Sequence, residues 1–218
     1  LLNGDCKYDL KNDILLDMTS QILDLVYTAK VREDEGGTYG VYVGGQLSKY
    51  PKEKALLQII FETAPAKREK LMQIIFTELD NIAKAGPSEG DLNKVKEFML
   101  KKHAEDLKEN SYWLGSIDEY LFTGMNPIKD YEHIVNSITV KDIQKFTDDL
   151  FKQKNEIEVS MISPETPDNP KEDNKPGSAT PDNPKGDRNT GSGSDREDTD
   201  WNVTRNAWET KKVNGVVR

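Results

Sequence analysis

A guanidinium and a phenol stand seven positions apart in VREDEGGTYGVYVGG, residues 31–45. Arg32 lies in a charged run, and Tyr39 follows the two glycines that break it. If the chain folds back at Gly36-Gly37, both side chains point to one place, where they could hold a peptide carbonyl or stabilise an oxyanion. The plainer account makes Arg32 a cap on the negative end of a helix and Tyr39 an ordinary strand aromatic. Residue types and spacing leave both open.

Other chemistry is poorly supplied. The two histidines, His103 and His133, are thirty positions apart, whereas zinc hydrolases bring two or three ligands together, usually two of them one helical turn apart. KKHAEDLKE resembles the inverted zinc motif H-x-x-E-H only superficially, because Asp106 and Leu107 stand where Glu and His are required. His103 therefore reads as a solvated helix-surface histidine and His133 as a partly packed one. Cys6 is the single cysteine and no serine sits in G-x-S-x-G, so neither a disulfide framework nor a nucleophile motif is present. The glycines at 36–37 and 44–45 form no phosphate-binding loop, and acidic pairs such as Asp148-Asp149 read as solvated surface.

The elements that must position Arg32 and Tyr39 follow from periodicity. From Asn12, the residues Ile14, Leu15, Met18, Ile22, Leu25, Val26 and Ala29 recur at helical spacing, predicting a helix that stops near Glu35 at the glycines. TYGVYVGGQLS then puts Tyr39, Val41 and Val43 on one side of an extended segment. The apolar run ALLQIIFET, residues 55–63, predicts a second strand, central in a sheet or covered on both faces. Pro65 opens a helix with Leu71, Met72, Ile75, Leu79, Ile82 and Ala83 inward; Ser88 and Asp91 cap another with Leu92, Val95, Phe98 and Met99 inward. Helices over 111–122, 129–136 and 139–153, the last opened by Thr139 with Asp142 three residues on, and a closing strand over 156–163, complete the pattern. The expected class is α+β, a mainly antiparallel sheet with helices packed on one face. A central strand needs two neighbours, so one or two strands are expected upstream of Leu1, and the start, without Met, reads as cut from something longer.

Composition sets the boundaries. With 32% charged residues, 35% hydrophobic residues and a net charge of −9, the 218-residue average is too polar for one compact globule. The excess sits after Pro164, where TPDNPK occurs twice and GSGSDREDTD follows. Residues 1–164 are thus expected to form the domain, 165–200 a disordered low-complexity linker, and 201–218 a short tail carrying Trp201 and Trp208. Lysines interspersed with acids argue against nucleic acid as a partner, and no apolar run reaches the roughly 20 residues of a membrane span.

NDILLDMTSQILDLVYTAKVREDEGGTYGVYVGG resembles the second-half domains of the pitrilysin/insulinase family of zinc peptidases, in which a long helix ends in Arg and a Tyr seven positions on opens a strand. The lead-in G-x-x-x-Y-x-x-x-N is matched by Gly4, Tyr8 and Asn12, and the likeness runs to about Pro164 with a bacterial cast that favours a cell-envelope setting. The resemblance implies a bipartite enzyme. Its zinc and the H-x-x-E-H motif lie on another half, upstream in the same polypeptide or on a partner subunit, and that half faces this one across a peptide-filled chamber. It further implies that Arg32 anchors substrate, that Tyr39 holds the carbonyl oxygen as it becomes an oxyanion, that no cofactor binds this chain, and that this half alone is inactive. A non-catalytic assembly homologue, or a peptide-binding module, is the alternative reading.

Overall fold

The computed structural model describes residues 1–35, 40–161 and 208–211, with side chains for 1–30 and 40–161. The chain divides into two units, Leu1–Glu158 with Thr210–Arg218, and Val159–Glu209. The expected linker at 165–200 lies outside the described residues.

The first unit is α+β. Strand β1 (Leu2–Asp5) leads into the long helix α1 (Leu10–Glu35), followed by β2 (Val41–Ser48) and β3 (Lys54–Phe61). A 3₁₀ turn at Pro65–Lys67 precedes α2 (Arg68–Ala85), and then come α3 (Glu89–Asp106), α4 (Asn110–Thr123), α5 (Tyr131–Ser137), α6 (Val140–Phe151) and β4 (Glu158–Met161). The strand β5 (Trp208–Lys211) forms a two-stranded sheet with β4.

The main sheet is antiparallel in the order β1-β3-β2, with Leu2 opposite Leu57 and Val41 opposite Phe61. The run at 55–63 is therefore central, but only one of its faces is covered: Ala55 and Leu57 are buried, while Ile60 on the other face is 48% exposed. Its second neighbour, expected upstream of Leu1, is β1, which hydropathy could not reveal because LNGD carries one apolar residue among four. Beyond β1 the closing segment lies alongside: the Asn3 amide donates to the Asn155 carbonyl (3.0 Å), the Ile157 amide donates to the Leu1 carbonyl (2.9 Å), and Leu2 bridges Glu156.

Helix α1 runs through the middle, packed on β2 and in contact with α2, α3, α5 and α6. A helix covered on two sides buries more than one stripe. Ile14, Leu15, Leu16, Met18, Ile22, Leu23 and Tyr27 are all buried, and the buried hydroxyls of Thr19 and Ser20 donate to the carbonyls one turn back, at 2.7 and 2.8 Å. Leu25 and Ala29, expected inward, are exposed instead. The Tyr27 hydroxyl ties α1 to α2 by donating to the Ile75 carbonyl (3.0 Å).

Caps predicted from sequence form. Ser88 accepts from the Asp91 amide at 3.0 Å, and Thr139 with Asp142 makes a reciprocal capping box at the start of α6. Inward positions on α2 and α3 agree with the periodicity except Met72, which is half-buried, and Phe98, which is 57% exposed. α4 is inside out. Its buried residues are Ser116 and Thr123, whereas Trp113, Leu114, Ile117, Tyr120, Leu121 and Phe122 face solvent.

Candidate functional site

Arg32 lies in the last turns of α1, the helix that ends at Glu35. Its side chain and residues 36–39, Tyr39 included, lie outside the described residues. The flanks of the break are described. Gly40 has φ +136, a backbone that residues with a Cβ rarely adopt, so the chain turns sharply just before β2 begins at Val41. Gly45 then lets β2 lie against the middle of α1: a Cβ there would come within 2.6 Å of Leu16 Cγ and 2.9 Å of Ser20 Oγ.

From that contact β2 runs antiparallel to α1. A strand advances about 3.3 Å per residue and a helix 1.5 Å, so going from Gly45 back to Val41 covers about nine helix residues and brings the opening of β2 level with the later turns of α1.

The lead-in residues Gly4, Tyr8 and Asn12 are explained by packing. Gly4 faces α6, where a Cβ would meet Gln153 and Leu150 at 2.7 Å. Asn12 Nδ2 donates to the Lys7 carbonyl at 3.0 Å, closing the turn into α1. The Tyr8 hydroxyl donates to the Glu119 carboxylate on α4, which also accepts from Thr123 Oγ1 at 2.8 Å.

Around that contact is a polar cluster that the motif search passed over. Burial, then the charges of Asp17 and Glu119, pushes Asp13 up to about 6. Burial also raises Asp17, partly offset by its hydrogen bond with Gln21, and pushes Tyr8 up to about 12 together with its bond to Glu119. The sequence signal was Asp13 and Asp17, two acids one turn apart among the apolar residues Ile14, Leu15, Leu16 and Met18.

The two histidines exchange their expected roles. His103 is buried, its Nδ1 lies 3.1 Å from the Tyr112 hydroxyl, and its ring stacks on Tyr131 with centroids 4.2 Å apart. His133 is exposed. Lys101-Lys102 before His103 and Glu105-Asp106 after it suggested solvent, but α5 returns over that face of α3 and supplies the stacking ring. Among the described residues, no group of three or more His, Cys, Asp or Glu side chains could hold a metal ion. Nor is any described helix long and apolar enough to cross a membrane.

A small antiparallel sheet laid on one long helix, with α2, α3, α5 and α6 packed against that helix, defines an α+β domain of the kind solved in bacterial proteases. The periplasmic protease PqqL from Escherichia coli matches with a TM-score of 0.59 and 15% identity over 69% of this chain and 17% of that one. A protease from Helicobacter pylori matches with a TM-score of 0.58 and 18% identity, over 69% of this chain and 36% of that one. The peptidase M16 inactive domain from Pseudomonas fluorescens gives 0.56 and 19%, over 67% and 35%. This chain thus spans roughly a sixth to a third of the length of these proteins. Residues 3–99, a little under half of the chain, match the family model described as the peptidase M16 inactive domain, in agreement with the resemblance to the second-half domains of the pitrilysin/insulinase group. No curated protein matches it.

Proposed function

We propose that residues 1–164 are the substrate-binding, non-zinc half of an M16 metalloendopeptidase, with 165–200 a linker to a tail of separate role. The observation that carries this reading is the match of residues 3–99 to the inactive domain, a span that contains Arg32, Tyr39 and the whole of β2. In this reading the metal and its activated water belong to the other half, on the same polypeptide or on a partner subunit. The bacterial proteases of like fold favour a cell-envelope setting.

The roles of this half follow from its own side chains. Arg32, fixed on a helix whose middle is clamped between sheet and helices, presents a guanidinium that binds a peptide carbonyl or carboxylate by charge-assisted hydrogen bonds. Tyr39, next to the sharp turn at Gly40, donates its hydroxyl to the scissile carbonyl as negative charge develops there.

The test is reconstitution with the zinc-bearing half and steady-state peptide hydrolysis. Tyr39→Phe should lower kcat about 10²-fold, in the range found for loss of one oxyanion donor, and Arg32→Ala should act mainly by raising KM. An unchanged kcat for Tyr39→Phe removes it from transition-state stabilisation. Absence of H-x-x-E-H from both the upstream sequence and any partner subunit ends the peptidase reading itself.

A further inference from the structure

α4 turns its polar side into the fold and its apolar side out. Tyr112, Ser116, Glu119 and Thr123 recur at helical spacing on the inner side, where Ser116 and Thr123 are buried. Hydrogen bonds hold that side in place: the Tyr112 hydroxyl lies 3.1 Å from His103 Nδ1, and the Glu119 carboxylate accepts from the Tyr8 and Thr123 hydroxyls. On the opposite side stand Leu114, Ile117 and Leu121, flanked by Trp113, Tyr120 and Phe122, all between 45% and 77% exposed. Rotating the helix to bury these side chains would break the polar contacts, so the outward apolar face is built into the fold.

The patch continues onto the turn between β2 and β3, where Tyr50, 56% exposed, packs edge-on against Phe122 with centroids 5.4 Å apart. A whole aromatic side chain presents about 150–250 Å² and Leu or Ile somewhat less, so these seven leave roughly 800 Å² open to water. The largest apolar patch on an ordinary monomer is about 300–600 Å², whereas each partner in a stable interface contributes about 800 Å². The size is that of an interface. A helix lying on a lipid surface carries Lys and Arg along its polar face, and α4 has neither in NSYWLGSIDEYLFT.

We propose that the outer face of α4 pairs antiparallel with α4 of a second copy of this chain, forming a two-fold dimer. Charge at the two ends of the helix points to a copy. Glu109, the N-cap, is exposed and its side chain makes no capping bond; at the other end the Lys49 ammonium donates to the Thr123 carbonyl and lies 5.6 Å from the Tyr50 ring centroid. An acid at one end, a base at the other and an uncharged seam between them are complementary to the same face run in the opposite direction, which is what a two-fold interface requires. With the axis at Ile117, Leu114 of each copy meets Tyr120 and Leu121 of the other, and Glu109 approaches Lys49 of the second copy at both ends. The helix dipoles oppose one another in the same arrangement. This goes beyond the peptidase reading and does not rest on it.

The test is sedimentation equilibrium of the full 218-residue chain over about a hundredfold range of concentration. Pairing through α4 predicts a reversible monomer–dimer equilibrium with Kd in the micromolar range, the weak end for an interface of this size. Leu114→Glu combined with Leu121→Glu should keep the Tm of the dilute chain and weaken the dimer at least a hundredfold. Glu109→Lys alone, and Lys49→Glu alone, should each weaken self-association about tenfold, because each sets like charges together at both ends. Mixed in equal amounts, these two variants should form a heterodimer within about threefold of the wild-type affinity, since both ends then regain an acid facing a base.

A chain that stays monomeric throughout the range overturns the proposal, as does a dimer indifferent to the paired leucine substitutions. Failure of the two charge variants to associate in the mixture overturns it too, because antiparallel self-pairing requires that rescue. If the chain is monomeric alone and the leucine substitutions abolish its binding to the zinc-bearing half, the face belongs to that half instead and the proposal fails. Sedimentation needs neither the zinc half nor a peptide, so a Tyr39-independent kcat leaves the dimer standing, and a monomeric chain beside a Tyr39-dependent kcat removes the dimer alone.

Discussion

Asp13→Asn should stabilise this protein at neutral pH and do nothing for it in acid. Asp13 sits in the first turn of α1, where the helix dipole favours a carboxylate by about 0.3–1 kcal/mol. Burial and the nearby charges of Asp17 and Glu119 work against it and win, holding the carboxyl at about 6. In an unfolded chain an Asp titrates near 3.9, so the folded state binds more protons between roughly pH 4 and 6. Stability contributed by this group is therefore lost as pH rises through that window, and the penalty is complete above it. A difference of about two pH units corresponds to about 3 kcal/mol, which the helix dipole and partial exposure reduce to about 2. Asn keeps the shape and the hydrogen-bonding capacity without the charge. Thermal unfolding followed by circular dichroism should show Asp13→Asn raising Tm by about 4–8 °C at pH 7.5, with the gain vanishing by about pH 4. A lowered Tm at pH 7.5, or a gain that does not depend on pH, refutes the reasoning, because either would mean that the ionised carboxylate is well accommodated in the fold.

Two further substitutions test the packing. His103→Ala removes a buried ring stacked on Tyr131 and leaves the Tyr112 hydroxyl without its partner, so it should cost about 2–3 kcal/mol in denaturant unfolding; the exposed His133→Ala should stay within about 0.5 kcal/mol. The double substitution Leu114→Glu and Leu121→Glu places charge on side chains 69% and 77% exposed, and should leave the denaturation midpoint of the dilute, monomeric chain nearly unchanged, whereas a loss above about 2 kcal/mol there would mean that this face of α4 is packed within the chain.

Where local rules decide, the sequence was legible. Ser88 with Asp91, and Thr139 with Asp142, announce helix starts because the capping partners lie within one turn. Leu71, Ile75, Leu79 and Ile82 mark the buried stripe of α2 because that helix has one covered side. Periodicity misled where a helix has two covered sides, as in α1.

The sequence by itself determined the α+β class and, β1 and β5 aside, the order of helices and strands, because helix periodicity, strand alternation and capping are properties of neighbouring residues. Only the tertiary structure decided that β1 flanks β3, that His103 is buried and His133 exposed, and that burial and nearby charge push Asp13 up to about 6. Each of these depends on which distant segment comes to lie alongside, and on how much water it displaces when it does.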